Sequence, residues 1–368
     1  MGVARTMAAR RPRIAVILGD PAGVGPELAA KLLSDPQNLK LADITVIADR
    51  TELDLAISDA GGVHVPVAKL AGPETVRLLE DHSQPAEPFV RQRETQAGGA
   101  RCVHQLRRGL RLWADGEIDA IVFAPLNKTS LKKAGMVEED ELRWFAKELH
   151  YDGTTSEINI AGPLWTARVT SHVGIEKVAA MVTQESTMKA IELLYRLRWE
   201  SGIERPRLAV CALNPHNGEN GSFGRQEIDA IAPAVREARI NGIDVQGPFP
   251  CDTIFLKRQH FDGIVTMYHD QGQIALKLLS FEGGVTVQGG LPMIIATPAH
   301  GTAFDIVGKN VASVTSTQQA FNIAVAMASR RLSKEKSATS EGVEQDLITN
   351  GVVKTRPLVT TVEVPSCC

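Results

Sequence analysis

Residues 262–277 read DGIVTMYHDQGQIALK, and the short apolar run in this stretch ends at His269. Other stretches share this design, in which an apolar run is followed by a polar or glycine-rich turn and then by an amphipathic segment. They are RIAVILG (13–19), ITVIAD (44–49), DAIVFAPL (119–126), WTARVTSH (165–172) and RLAVCALNPH (207–216). Short continuous apolar runs are typical of strands that are buried on both faces of a sheet. The pattern therefore predicts an α/β fold with a largely parallel sheet covered by helices.

Helix-like segments lie between these runs, at 26–34, 94–115, 185–199 and 226–241. A chain of 368 residues is long enough for two domains. We expect two lobes with a cleft between them. Lobe one is discontinuous and comprises 13–128 and 278–332, and lobe two comprises 129–277. Residues 333–368 are rich in Ser, Thr, Glu and Lys, and we interpret them as a C-terminal appendage.

The composition excludes several classes of protein. Hydrophobic residues make up 43% of the chain, charged residues 23%, and the formal net charge is −3, which gives no electrostatic reason to expect nucleic acid or a membrane surface as a partner. The five cysteines show no CxxC spacing, and this favours a reducing compartment. The basic start lacks the apolar core of a signal peptide. We expect a cytoplasmic protein that binds a small molecule.

Three histidines come directly after apolar runs: His172, His216 and His269. In open α/β sheets, ligands gather beyond the carboxyl ends of the strands. Neutral imidazole is a common ligand of zinc and related ions, and three such ligands leave positions open for a substrate. For any one of these histidines, a turn or core residue bonded to a backbone carbonyl is the competing interpretation. Three at one topological place favour a metal site.

Other strand ends are polar, and each has an alternative interpretation. The glycines of GDPAGVGPE (19–27) allow a ligand to approach the backbone, or they form a tight turn before a helix that starts with proline. Asn127 is a candidate for substrate binding at another strand end. Lys277 follows His269 by eight residues and is a candidate for anion binding or proton transfer. The competing interpretation is a solvated lysine on the surface. Asp252 is a catalytic candidate or a helix cap.

Seven ordered motifs resemble the 4-hydroxythreonine-4-phosphate dehydrogenase (PdxA-like) family, and the resemblance covers 13–332. They are GDPAGVGPE (19–27), LNK (126–128), TSH (170–172), LNPHNGENGSFG (213–224), GPFPCDTIF (247–255), MYHDQG (267–272) and HGTAFDIVG (300–308). The resemblance implies a fold like that of isocitrate and isopropylmalate dehydrogenases. It also implies a homodimer that forms contacts through lobe two and whose active site is completed by the partner subunit. The expected reaction is oxidation of a secondary alcohol with NAD or NADP. In the pyridoxine biosynthesis member the keto acid product loses carbon dioxide.

Carried over by motif, the family's metal ligands fall on the three histidines that the strand ends single out. The metal is expected to be Zn, Mg, Co or Mn. The catalytic candidates are Lys277, Asp252 and Asp270, and Lys277 is also expected to contact substrate. The HGTAFD segment resembles the adenosine-binding loop of the isopropylmalate dehydrogenase group, which makes the expected cofactor contacts His300, Gly301, Thr302 and Asp305.

The departures from the family fall on its substrate residues. Where the family has Gly-His-Thr-Glu, this chain has Asp140, Glu141, Leu142 and Arg143, and the family's substrate asparagine and arginine align with Thr286 and Ile295. Glu141, Leu142 and Thr286 are therefore the substrate-contact candidates at these positions. Isoleucine cannot replace the bidentate contacts of arginine to a phosphate.

The sequence thus predicts a metal-dependent, NAD(P)-linked dehydrogenase of a small hydroxy acid. Substrates of relatives with an altered pocket remain alternatives, namely cis-dihydrodiol carboxylates and sugar-acid phosphates. Two other classes are open as well. One is a phosphate acyltransferase of the same broad fold, against which the three histidines and the HDQG motif argue, and the other is a non-catalytic ligand-binding paralogue.

Overall fold

The computed structural model describes residues 10–80, 82, 90–279 and 283–345. Cys367 and Cys368, at the end of the expected appendage, lie outside the described residues. Strands and helices alternate along most of the chain, as the apolar runs predict. In the first half the elements are β1 (Arg13–Ile17), α1 (Gly25–Leu33), α2 (Pro36–Leu41), β2 (Asp43–Ile47), α3 (Arg50–Asp59), β3 (Val67–Ala68), β4 (Val76–Leu79), α4 (Gln96–Ala114), β5 (Ala120–Phe123), α5 (Lys128–Lys133) and α6 (Glu141–Glu148).

The second half of the chain continues the alternation and ends in a long helix. Its elements are β6 (Ser156–Ala161), β7 (Leu164–Arg168), α7 (Ile175–Met181), α8 (Gln184–Glu200), β8 (Leu208–Cys211), α9 (Ala232–Ile240), β9 (Val245–Phe249), α10 (Cys251–Ile254), β10 (Gly263–Thr266), α11 (His269–Leu279), β11 (Gly284–Gly289), β12 (Ile294–Pro298) and α12 (Thr315–Gln345). Short 3-10 turns lie at Phe255–His260 and Phe304–Ile306, a left-handed turn lies within Pro215–Gly221, and a π turn lies at Glu227–Ile231.

All twelve described strands form one sheet, in the order β3-β4-β2-β1-β5-β12-β11-β6-β7-β10-β8-β9. The pairings are parallel except in the middle, where β12-β11, β11-β6 and β6-β7 are antiparallel. The prediction of a largely parallel α/β sheet is therefore confirmed. Because an odd number of reversals separates the two parallel groups, β7, β10, β8 and β9 run opposite to β1, β2, β4, β5 and β12.

The core explains why these runs form strands. Ile14, Val16, Ile44 and Val46 are less than 3% exposed, and they pack in one apolar cluster with Val265 of β10. Burial of such branched side chains on both faces stabilises a parallel sheet, at about 25 cal/mol per Å² of apolar surface removed from water. Among the described helices, none has both the length and the apolar character needed to cross a bilayer. The cytoplasmic location stays a prediction.

The expected lobes correspond to neighbouring strands. The strands of 13–128 and 278–332 occupy the sheet from β3 to β11, and those of 129–277 occupy it from β6 to β9. Because the sheet is continuous across this junction, the division into two lobes also stays a prediction. The boundary of the appendage at residue 333 stays a prediction as well. Helix α12 passes through residue 333 without a break, so no element boundary lies there.

Candidate active site

The ends of β7 and β10 are joined by backbone and side-chain hydrogen bonds. The Thr170 amide donates to the Met267 carbonyl at 3.0 Å, and the Thr170 hydroxyl donates to the same oxygen at 2.8 Å. Gln271 joins the third strand, since its Oε1 accepts from the Met267 amide and its Nε2 donates to the Ala212 carbonyl beyond β8. The HDQG segment therefore sets the start of α11 against the ends of three adjacent parallel strands.

His172 and His269 lie side by side at this edge of the sheet, with ring centroids 5.7 Å apart. The Nδ1 of His172 is 3.0 Å from Oε1 of Glu139 and 3.3 Å from Oδ2 of Asp140. The Nδ1 of His269 is 2.7 Å from Oδ1 of Asp270. A carboxylate at Nδ1 fixes the ring tautomer and leaves Nε2 for a ligand, which is the usual arrangement of histidines at metal centres.

His216 lies on a left-handed turn after β8. His216, Asn217, Gly218, Glu219 and Asn220 all have positive φ values, between 42° and 76°. Such backbone is costly for residues other than glycine and is found mostly at functional sites.

The buried carboxylate of Glu227 anchors this turn. It accepts from the Leu213 and Asn214 amides at 2.8 and 2.7 Å. A Cβ on Gly218 would lie 2.6 Å from Oε2 of Glu227, so the glycine of LNPHNGENG is needed for the fit.

His216 lines a cavity of about 720 Å³ together with Asp252 and Asp270. Asp252 lies in the first turn of α10, directly after the GPFP segment. The structure thus brings His216 next to two of the catalytic candidates. The ligand atoms of His172 group within 4.8 Å with those of Glu139 and Asp140, and His216 and His269 are not part of that group among the described residues. The three-histidine centre therefore stays a prediction.

Lys277 faces a different cavity. Helix α11 rises about 12 Å between His269 and Lys277, at about 1.5 Å per residue. Lys277 lines a cavity of about 640 Å³ with His300, Gly301 and Ala303 of the HGTAFD segment. Within one chain, the lysine therefore lies beside the expected cofactor loop and two turns away from the histidines.

The GDPAGVGPE segment packs against the HGTAFD segment. The Val24 amide donates to the Thr302 carbonyl at 2.9 Å, and a Cβ on Gly23 would lie 2.7 Å from the Thr302 Cβ. Of the two interpretations of these glycines, the structure favours the tight turn, because they accommodate the chain itself. His300 is exposed, and its Nδ1 lies 3.0 Å from the Gly301 carbonyl oxygen. Asp305 is not among the described residues that line the cavity beside Lys277.

The remaining substrate candidates differ in how well they could contact a ligand. Asn127 caps α5, with Oδ1 accepting from the Ser130 amide at 2.9 Å. Leu142 is 2% exposed in an apolar cluster that also contains Ile295, which disfavours a polar contact to substrate. Burial raises the pKa of the Glu141 carboxyl, opposed by its own backbone amide and by Lys128. Thr286 is buried on β11 and accepts a hydrogen bond from Asn159.

Sequence reasoning missed the polar network on β6 and β7. Arg168 forms a buried ion pair with Glu157, and its Nη1 donates to Oδ1 of Asn159 at 2.8 Å. Gln273 of α11 donates to the same Asn159 oxygen at 2.8 Å. The available signal was the alternation of polar and apolar residues in SEINIA (156–161), which puts residues 157 and 159 on one face of the strand.

Comparisons with known proteins agree with this architecture. The family described as "Pyridoxal phosphate biosynthetic protein PdxA" matches residues 30–324. A relative from Pseudomonas aeruginosa, provisionally named 4-hydroxythreonine-4-phosphate dehydrogenase 2, is 50% identical over 86% of this chain and 97% of its own length. A relative from Oceanobacillus iheyensis, provisionally named D-threonate 4-phosphate dehydrogenase, is 36% identical over 87% of this chain and 98% of its own length.

A solved structure is similar over nearly the same span. The crystal structure of 4-hydroxythreonine-4-phosphate dehydrogenase from Klebsiella pneumoniae matches with a TM-score of 0.74 and 32% identity, covering 88% of this chain and 99% of that one. The chain is thus similar over most of its length to proteins named as dehydrogenases, in sequence and in fold.

Proposed function

This chain belongs to the PdxA family and is an oxidoreductase that acts on a CH–OH group, and from this premise we propose the details of its reaction. It oxidises the secondary alcohol of a small hydroxy acid, with NAD or NADP as hydride acceptor and a divalent metal as Lewis acid. The observation that carries the proposal is the adjacency of His172 and His269 beyond the ends of the neighbouring parallel strands β7 and β10. Names such as 4-hydroxythreonine-4-phosphate and D-threonate 4-phosphate dehydrogenase among relatives support this substrate class.

The donor set fits a divalent first-row metal. His172 and His269 each have a carboxylate at Nδ1, and each presents Nε2 as the ligand nitrogen. His216 is the third expected ligand, on the strained turn after the adjacent strand β8. A metal held there supplies positive charge that lowers the pKa of the substrate hydroxyl. Zinc is one candidate among Zn, Mg, Co and Mn.

The cofactor is expected in the cavity beside the HGTAFD segment. His300 and Gly301 line it, and a Cβ on Gly301 would meet nothing within 4 Å, so the backbone here is open to a ligand. A cavity of about 640 Å³ lies within the range of ordinary ligand sites. Nicotinamide bound there supplies the hydride acceptor.

Two of the catalytic candidates take different tasks in this proposal. Asp270 is hydrogen-bonded to His269 and orients that ring. Asp252 lines the cavity with His216 and has no such partner among the described contacts, which leaves its carboxylate to accept the proton of the substrate hydroxyl. Lys277, beside the expected cofactor loop, binds an anionic group of the substrate.

A homodimer with a shared active site accounts for the exposed apolar face of α11. Ile274 and Leu278 are 58% and 83% exposed, and Leu256 across the same cavity is 73% exposed. Contiguous exposed apolar side chains mark interaction surfaces. Pairing of this face with a second copy would bury them next to Asp252 and His216.

The test is NAD(P)H formation by purified, metal-loaded protein given 4-hydroxythreonine 4-phosphate or D-threonate 4-phosphate, with and without a chelator. We expect turnover that stops when the metal is removed and returns when it is restored. Turnover that is unaffected by complete removal of the metal would refute the metal assignment. Absence of turnover with all small hydroxy acids in the folded, metal-loaded protein would refute the proposed reaction.

A further inference from the structure

The amide of Asn159 is held in one orientation. Asn159 lies on β6 opposite Thr286 of β11 and is 8% exposed. Its Oδ1 accepts from Nη1 of Arg168 and from Nε2 of Gln273, both at 2.8 Å. Because a guanidinium only donates, the atom that faces Arg168 must be the carbonyl oxygen. The NH2 group therefore points to the other side, where one N–H donates to the Thr286 hydroxyl at 3.1 Å.

The second N–H of this amide has no acceptor among the described residues, and Asn159 lines the same cavity as Lys277. Asn159, Gln273 and Lys277 all line this cavity of about 640 Å³, together with the HGTAFD segment. Among the described residues that form its wall, Lys277 is the one permanently charged side chain. A buried N–H donor and an ammonium group thus share one wall, and this pair suits an oxygen atom that carries negative charge.

The neighbouring arginine does not add to this charge. Arg168 is neutralised by its ion pair with Glu157, and its Nε donates to the Ser171 hydroxyl at 3.0 Å. Within one chain, the described residues of the wall therefore offer the single permanent positive charge of Lys277. A carboxylate carries one negative charge, whereas a phosphate monoester carries about 1.5 to 2 at neutral pH.

We propose that Asn159 is a specificity-determining residue that binds, together with Lys277, a carboxylate at the end of the substrate remote from the reacting hydroxyl. The inference rests on the proposed function and narrows it to hydroxy dicarboxylates. The orientation of the amide is enforced by Arg168 and Gln273, so these two act as positioning residues.

The test compares three four-carbon acids that differ at one end: D-threonate, D-threonate 4-phosphate and the tartrate of matching configuration. Asn159→Asp is the variant, because aspartate still accepts from Arg168 and Gln273 and accepts from the Thr286 hydroxyl, but it has no N–H to donate. We expect the wild type to prefer tartrate. The variant should raise KM for tartrate by about ten- to a hundredfold, because the charge-assisted hydrogen bond is lost and the new aspartate repels the substrate carboxylate.

D-Threonate is the internal control, since its remote end is an uncharged hydroxyl. Its kcat/KM should change less than about threefold in Asn159→Asp, and KM for the cofactor should not change. A variant with unaltered KM for tartrate overturns the inference, and so does a wild type that prefers the 4-phosphate. A rise in KM for the cofactor alone overturns it too, because the amide then contacts nicotinamide.

A binding measurement separates this inference from the proposed reaction. Calorimetry of tartrate with metal-free wild type should give saturable binding that is at least about tenfold weaker in Asn159→Asp. If no acid yields NAD(P)H but this binding and its dependence on Asn159 are found, the inference stands and the proposed function fails. If NAD(P)H forms with D-threonate but tartrate does not bind, the inference fails and the proposed function stands.

Discussion

His172 and His269 lie with ring planes inclined by 43° and centroids 5.7 Å apart, although 97 residues separate them in the chain. Each ring has a carboxylate at Nδ1, from Glu139 and from Asp270. The pairing follows from the adjacency of β7 and β10, which also joins the Thr170 amide to the Met267 carbonyl. Two imidazoles with their Nε2 atoms left for a ligand are the structural basis of the proposed metal site.

Substitution of His269 by Ala should remove the metal and abolish turnover. We expect the metal content per chain to fall below about one tenth and kcat to fall by at least about a thousandfold, because the substrate hydroxyl loses its Lewis acid. Atomic emission spectrometry and NAD(P)H formation measure the two quantities. His260→Ala is the matched control, since His260 is exposed on a 3-10 turn and is not among the described residues that line the cavity with His216. A His269→Ala protein that keeps both metal and activity would contradict the assignment.

Asp20→Asn should stabilise the protein at neutral pH. Asp20 is fully buried, and burial raises the pKa of its carboxyl above 3.8, opposed by hydrogen bonds from the Ala22 amide and the Ser130 hydroxyl. Since the folded pKa is raised, the carboxyl favours folding only at low pH, and this contribution is lost as the pH rises through the folded pKa. An asparagine does not ionise, so the variant does not lose this stability as the pH rises. The difference in the free energy of unfolding between the variant and the wild type, measured with urea, should therefore grow from pH 4 to pH 7.

Asp119→Asn is the control of opposite sign. Burial raises the pKa of Asp119, but hydrogen bonds from Arg10 and Arg13 outweigh it and hold the pKa below 3.8. That contribution is present above pH 3.8 and is lost as the pH falls. Asp119→Asn should therefore be less stable than wild type at pH 7, with the difference shrinking toward pH 3. Equal pH profiles for the two variants would refute both assignments.

Arg168→Met should destabilise the fold by about 3 kcal/mol, because it leaves the carboxylate of Glu157 inside the protein without its ion-pair partner. Urea unfolding at pH 7 measures the change. A double variant, Arg168→Met with Glu157→Gln, should recover part of the loss, since the remaining group is uncharged. Full stability of the single variant would show that the ion pair contributes nothing to the fold.

Leu278→Glu should convert the proposed dimer into monomers. A charged side chain on the exposed face of α11 must be desolvated if that face pairs with a second copy. Light scattering after size exclusion measures the mass. Ile240→Glu is the matched control, because Ile240 on α9 is 84% exposed and Leu278 is 83% exposed. A Leu278→Glu protein with the mass of the wild type would show that the dimer, if formed, uses another face.

The apolar runs predicted six strands, and the structure has a strand at each of them: β1, β2, β5, β7, β8 and β10. These strands are parallel and buried on both faces, so their sequences are continuous apolar runs. The other six described strands were missed, among them the central strands β6, β11 and β12. In β6 the polar side chains of Glu157 and Asn159 face the network with Arg168, while Ile158 and Ile160 enter the core. Such a strand alternates and resembles a surface segment in sequence.

The sequence alone places a histidine after each of β7, β8 and β10. The end of a strand can be located from the residues around it, because the apolar run stops there. Sheet order is not local, and no period in the sequence encodes which strands become neighbours. The tertiary structure alone brings His172 next to His269, reverses the two groups of parallel strands, and turns Lys277 toward the HGTAFD segment. It alone pairs Asn159 with Thr286 across 127 residues, since their contact follows from the register of β6 against β11.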